Sequence, residues 1–138
     1  MPLLYEVSVI APDRVVFEGK IESLVAPGSE GYFGVLAGHA PMVAELGWGE
    51  LKLRTQGGDE RYYAVARGFV EVGWDRVTVL VDSAEAAEEI DVDRAQAARE
   101  RAERRLRARS ENVDEARAEA ALRRALNRLH VASHHGRR

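Results

Sequence analysis

Cysteine is absent from the 138 residues, which excludes disulfides, thiolate nucleophiles and cysteine-ligated metals. Long apolar runs are missing as well. No stretch of about 18 apolar residues occurs, so a helical membrane span is excluded. The N-terminus, "MPLLYEVSVIAPDR", lacks the basic start, apolar core and cleavage site of a targeting segment and alternates like a strand instead. No phosphate loop of the form G-x-x-x-x-G-K-[ST] is present, since "FEGKIES" has neither the spacing nor the hydroxyl. What remains is 46% hydrophobic and 31% charged, a globular composition long enough for one domain or for a small domain with an appendage.

The scarce residue types are distributed unevenly. Eleven of the twelve glycines, all four prolines and every aromatic lie before residue 75. The charge is divided too. Up to Asp93 there are 7 Lys+Arg against 17 Asp+Glu; from Arg94 onward there are 13 basic residues, all arginine, against 6 acidic ones. An acidic head and an Arg-rich tail point to an anionic partner for the tail, either nucleic acid, phosphate or an acidic protein face, unless the tail is simply a solvated helix surface.

The head reads as β-structure. Leu51 and Leu53 alternate with polar residues in "GELKLRT", and Val77, Val79 and Val81 share one face of "DRVTVLV". Strand-like runs fall near 3–11, 14–18, 20–26, 50–56, 60–66, 69–73 and 76–82, with turns at "QGGD" and "GWD". The stretch "GSEGYFGVLAGHAPM" (28–42) reads as a glycine-shaped loop. The tail reads as two helices, "DVDRAQAARERAERRLRAR" and "DEARAEAALRRALNRLH", separated at "SEN". Their apolar stripes are Ala95, Ala98, Ala102 and Leu106, then Ala118, Leu122, Ala125 and Leu129. The expected fold is α+β in two parts, an N-terminal antiparallel β-sandwich or flattened barrel over residues 1–84 and a C-terminal antiparallel two-helix hairpin over 85–138. A seam made mostly of alanine buries little area at roughly 25 cal/mol per Å², so the hairpin is expected to dock elsewhere or to move.

No catalytic centre emerges. His39, in "GHAP", has no orienting carboxylate and nucleophile in a defensible arrangement and reads as a turn histidine. His130, His134 and His135 belong to "HVASHHGRR", which reads as a frayed terminus with at most adventitious metal binding, so no metal site is expected. The arginines are more suggestive. Arg94 and Arg101 are seven apart, and Arg124 and Arg128 are four apart, so each pair shares a helix face. Guanidiniums placed this way suit a phosphate chain or the carboxylates of a partner protein.

Taken together, "EGYFGVLAGHAPMVAEL", "IDVDRAQAARERAERRL" and "EAALRRALNRL" resemble the epsilon subunit of the F-type rotary ATP synthase. "VSVIAPDRVVFEG" and "YYAVARGFVEVGWDRVTVLVD" extend the likeness along essentially the whole chain. The resemblance implies a non-catalytic subunit of the central rotor stalk, with a sandwich that packs on the gamma subunit and meets the membrane-embedded c-ring. It implies a hairpin that extends into the catalytic head and blocks ATP hydrolysis, and a place on the cytoplasmic face of the inner (plasma) membrane, reached only through the complex. Tyr32, Phe33 and His39 fall in the ring-facing stretch, where "YF" and "AGHAP" stand for the family's commoner "EL" and "PGHAP".

The resemblance also implies ATP as a regulatory ligand, with no cofactor required. Ile90-Asp91-Val92-Asp93-Arg94-Ala95 matches the aliphatic-Asp-x-x-Arg-Ala signature of nucleotide-binding members, and Glu85, Arg101, Arg124 and Arg128 match its companions. Glu85, Ile90 and Asp91 would then surround the adenine, and Arg94, Arg101, Arg124 and Arg128 would face the phosphates. The same signature recurs at Val113-Asp114-Glu115-Ala116-Arg117-Ala118, so it is at least partly a helix-start device, with Asp91 as N-cap and Ile90 against Ala95 as a hydrophobic staple. The alternatives are the same subunit without nucleotide binding and an Arg-rich nucleic-acid module. The second is disfavoured by the lack of aromatics in the tail and by the acidic head.

Overall fold

The computed structural model describes residues 3–108 and 114–135. Seven strands come first: β1 (Tyr5–Ala11), β2 (Arg14–Gly28), β3 (Gly31–Leu36), β4 (Met42–Leu46), β5 (Gly49–Thr55), β6 (Glu60–Val72) and β7 (Arg76–Ala86). Pairing runs from β1 to β2, β5, β6, β7 and back to β1, so the ladder closes on itself. β3 extends this ring from β2, and β4 extends it from β6. One pairing departs from the antiparallel expectation: β1 and β7 run parallel. They are the first and last strands, with the whole domain between them, so no tight turn dictates their relative direction.

The runs expected at 14–18 and 20–26 are one strand, β2, and those at 60–66 and 69–73 are one strand, β6. Gly19 and Gly68, which read as breaks, are paired within the ladder with Val7 and with Val81. The loop expected over 28–42 also holds regular structure. Residues 31–36 form β3 against Ser23–Gly28, and β4 begins at Met42. Gly31 and Gly34 obscure the strand, but Tyr32, Phe33, Val35 and Leu36 supply its β-propensity, and pairing with β2 decides the matter.

The core is aliphatic. Val7, Val9, Ile21, Leu24, Leu51, Leu53, Val70 and Val79 are wholly buried, each stabilising the fold by about 1.5–3 kcal/mol. The alternation read in "GELKLRT" and "DRVTVLV" holds, because Leu51, Leu53, Val77, Val79 and Val81 all face inward. Tyr5 donates its hydroxyl to the Val35 carbonyl at 2.6 Å and so ties β1 to β3. Burial pushes its phenol above the usual range.

A second compact unit begins at Ala87. After a short 3-10 turn at Ala87–Glu89 come α1 (Val92–Ala108) and α2 (Glu115–His135). The break expected at "SEN" lies outside the described residues. Ala95, Ala102, Ala118 and Ala125 are buried, in the seven-residue rhythm of two antiparallel helices in close contact. Ala98, Leu106, Leu122 and Leu129 flank this stripe at half-burial. Residues 130–135 of the tail read as frayed continue instead as helix, through His135; residues 136–138 lie outside the described residues. Val131 is wholly buried there, and the Ser133 hydroxyl donates to the His130 carbonyl at 2.6 Å.

Candidate anion-binding cleft

Both helices start the same way. The Asp91 carboxylate accepts from the Arg94 backbone N–H at 3.1 Å, and Asp114 accepts from Arg117 at 3.1 Å. The Asp91 carbonyl then takes the first intrahelical bond from Ala95 at 3.0 Å, as the Asp114 carbonyl does from Ala118 at 3.0 Å. Each cap contributes about 1 kcal/mol. The signature at Ile90–Ala95 and its repeat at Val113–Ala118 therefore perform one capping task twice. Ile90 and Ala95 are buried, and Asp91 and Arg94 are exposed.

Further along the helices the arginines converge. A cleft of about 300 Å³ is lined by Ala98, Arg101, Ala102 and Arg105 of α1 and by Ala121, Arg124, Ala125 and Arg128 of α2. Its geometry follows from helical spacing. On each helix two arginines stand four apart, and two alanines at the same spacing stand beside them. The small alanines let the helices approach and leave room between the long side chains. Arg101, Arg105 and Arg124 are exposed and Arg128 is half-buried.

Like charges at i, i+4 disfavour an isolated helix by about 0.2–0.5 kcal/mol per pair. Two such pairs face this cleft. An anion between the two pairs would offset that repulsion. A guanidinium offers a planar fork of donors that fits phosphate oxygens in pairs.

Of the residues singled out in the sequence, the cleft gathers Arg101, Arg124 and Arg128. Arg94, whose backbone N–H donates to the Asp91 cap, stands two turns before Arg101 and is not among the lining residues. Glu85 lies in β7, paired with Ala64 and half-buried. Arg105 was missed, although its i, i+4 relation to Arg101 was visible in "RERAERR".

The ribbon residues separate. Tyr32 stands at the start of β3, 60% exposed, with its hydroxyl accepting from the Glu50 backbone N–H at 3.0 Å. Phe33 turns inward against the core. His39 lies beyond the opposite end of β3, in a turn closed by its backbone N–H to the Leu36 carbonyl at 3.1 Å, where Gly38 adopts φ +85°. A left-handed residue at that position suits glycine. A shallow depression at this end brings His39 and Leu36 beside Trp74 of the β6–β7 turn. Trp74 is 80% exposed and Leu36 65%, so the surface here is apolar without the core's help. From the sequence alone Trp74 reads only as part of the "GWD" turn.

Comparison with known proteins agrees with this two-part build. The family model described as "ATP synthase, Delta/Epsilon chain, beta-sandwich domain" matches residues 4–87, and "ATP synthase, Delta/Epsilon chain, long alpha-helix domain" matches residues 88–133. The ATP synthase epsilon chain of Anoxybacillus flavithermus is 52% identical over 104 residues, covering 75% of this chain and 77% of the relative. That of Moorella thermoacetica is 51% identical over 101 residues, covering 73% and 75%. Among solved structures, a chain of the Euglena gracilis mitochondrial ATP synthase OSCP/F1/c-ring assembly superposes with a TM-score of 0.78 at 27% identity, over 89% of this chain and 78% of that one. A chain of the Tetrahymena thermophila ATP synthase central stalk/c-ring shares the fold, with a TM-score of 0.54 at 14% identity over 96% of each. The two family models meet where sheet gives way to helix and span nearly the whole sequence, and the chain belongs to the ATP synthase delta/epsilon chain family.

Proposed function

We propose that the chain is a non-catalytic subunit of the central stalk of an F-type ATP synthase, joining a gamma-type subunit to the c-ring. Its helical unit acts as a mobile brake on ATP hydrolysis, and the triphosphate of ATP holds that unit in its folded, permissive form. The observation that carries the nucleotide part is the four-arginine cleft. ATP supplies the polyanionic chain such a cleft suits, and a ligand bridging α1 and α2 favours whichever state keeps them packed.

The alanine seam supports mobility. Burying a methyl group contributes only on the order of 1 kcal/mol, so the four buried alanines of the seam hold α1 to α2 less firmly than larger side chains would. The exposed Leu36 and Trp74 beside His39 support a docking role for that end of the sheet, since apolar side chains gathered on a surface mark contact sites. As a stalk subunit of a bacterial-type enzyme, the chain would lie on the cytoplasmic face of the membrane. Among the described residues no helix is long and apolar enough to cross one.

A second reading keeps the stalk role without nucleotide. It is favoured by the shared caps of Asp91 and Asp114, which account for the signature as helix starts. The brake itself is tested in the assembled enzyme with a chain ending at Ala87, which retains all seven strands. Truncation is expected to raise ATP hydrolysis, and an unchanged rate would contradict the brake.

A further inference from the structure

We infer that His130 and His134 form a two-imidazole chelate for a divalent transition-metal ion on the last turns of α2. The two residues are one helical turn apart, which puts both side chains on one face. This is the spacing by which paired histidines on a helix hold zinc in other proteins. The rings already meet edge to face, with centroids 5.3 Å apart at 82°. A ring nitrogen of one lies within 4.8 Å of a ring nitrogen of the other. Metal–nitrogen bonds of about 2.0–2.1 Å place two ligands of a tetrahedral ion roughly 3.4 Å apart, so a small rotation of each ring completes the grip.

The backbone beneath the pair is held. Val131 is wholly buried between the two positions in sequence, and Ser133 ties its hydroxyl to the His130 carbonyl. A metal therefore meets an ordered turn and does not have to create one. Imidazole nitrogen suits Zn²⁺, Ni²⁺ and Cu²⁺, whereas Mg²⁺ prefers oxygen. The two imidazoles supply two of the four positions of a tetrahedral ion, the others being left to further donors. By bridging one turn, the ion would secure the C-terminal end of the hairpin against fraying. None of this depends on nucleotide binding at the arginine cleft.

The test is calorimetric titration of the full chain with ZnCl₂, with MgCl₂ as control. Saturable Zn²⁺ binding at one ion per chain is expected, with none for Mg²⁺. His130→Gln and His134→Gln are each expected to abolish it, while His39→Gln keeps it; unchanged helical circular dichroism shows that the variants fold. Zn²⁺ binding that survives either substitution, that fails to saturate, or that is lost in His39→Gln overturns the assignment.

Discussion

Titrating ATP into the isolated chain is expected to give saturable heat that vanishes in the Arg124→Ala, Arg128→Ala double variant. A hydrogen bond to a charged group contributes about 1.5–3 kcal/mol. Each single alanine at Arg101, Arg105, Arg124 or Arg128 should therefore weaken binding by roughly 10- to 150-fold. Arg104→Ala serves as control, because that side chain is exposed and is not among those lining the cleft. Arg105 and Arg94 separate two accounts of the site. The geometry predicts a large loss at Arg105 and a small one at Arg94, whereas the motif alone predicts the reverse. No heat at millimolar ATP would remove the nucleotide from the account and leave the stalk role standing.

The largest single effect on stability is expected at Gly68. A Cβ there would land on the Leu80 carbonyl oxygen, with the Leu80 carbonyl carbon at 2.8 Å and the Val81 Cα at 2.9 Å. All three are backbone atoms of the adjacent strand, so no side chain can swing aside to make room. β6 and β7 would have to separate where Gly68 pairs with Val81. Gly68→Ala should cost roughly 3 kcal/mol, a large share of the 5–15 kcal/mol typical of a domain. Urea unfolding measures it, with Gly34→Ala as a tolerated comparison, because the nearest neighbour there is the Leu24 carbonyl oxygen at 3.7 Å. A loss below about 0.5 kcal/mol, the range of ordinary surface substitutions, would contradict the close approach.

Gly68 also shows why part of the fold was hard to read. In a sequence, glycine signals a break; here it marks a close crossing of two long strands, and only the partner strand reveals the difference. The same ambiguity hid β3, whose glycines outweighed its aromatics and aliphatics until β2 lay beside it. Patterns that need no partner were plain. Period-two alternation placed Leu51, Leu53 and the valines of β7 inside, and helical spacing placed the alanine seam.

The cleft was half legible. Arg124 and Arg128 declare themselves by their spacing of four, and Arg101 by standing seven from Arg94 as well as by resemblance. Arg105 stands four residues after Arg101 in the sequence too, but its place in the cleft depends on the relative rotation of α1 and α2. The helical tail shows the opposite error: "HVASHH" looked frayed because it is polar and terminal, yet one buried valine and one serine bond keep it helical. The twin caps settle the role of Asp91 in helix initiation and leave its nucleotide role to measurement.

The central claim is that nucleotide held by the arginines keeps the hairpin from braking the enzyme. It is tested most directly by ATP hydrolysis in the assembled synthase carrying Arg124→Ala and Arg128→Ala. At millimolar ATP the account predicts slower hydrolysis than in the unmodified enzyme, restored when the variant chain is cut after Ala87. A rate equal to or above that of the unmodified enzyme would contradict it.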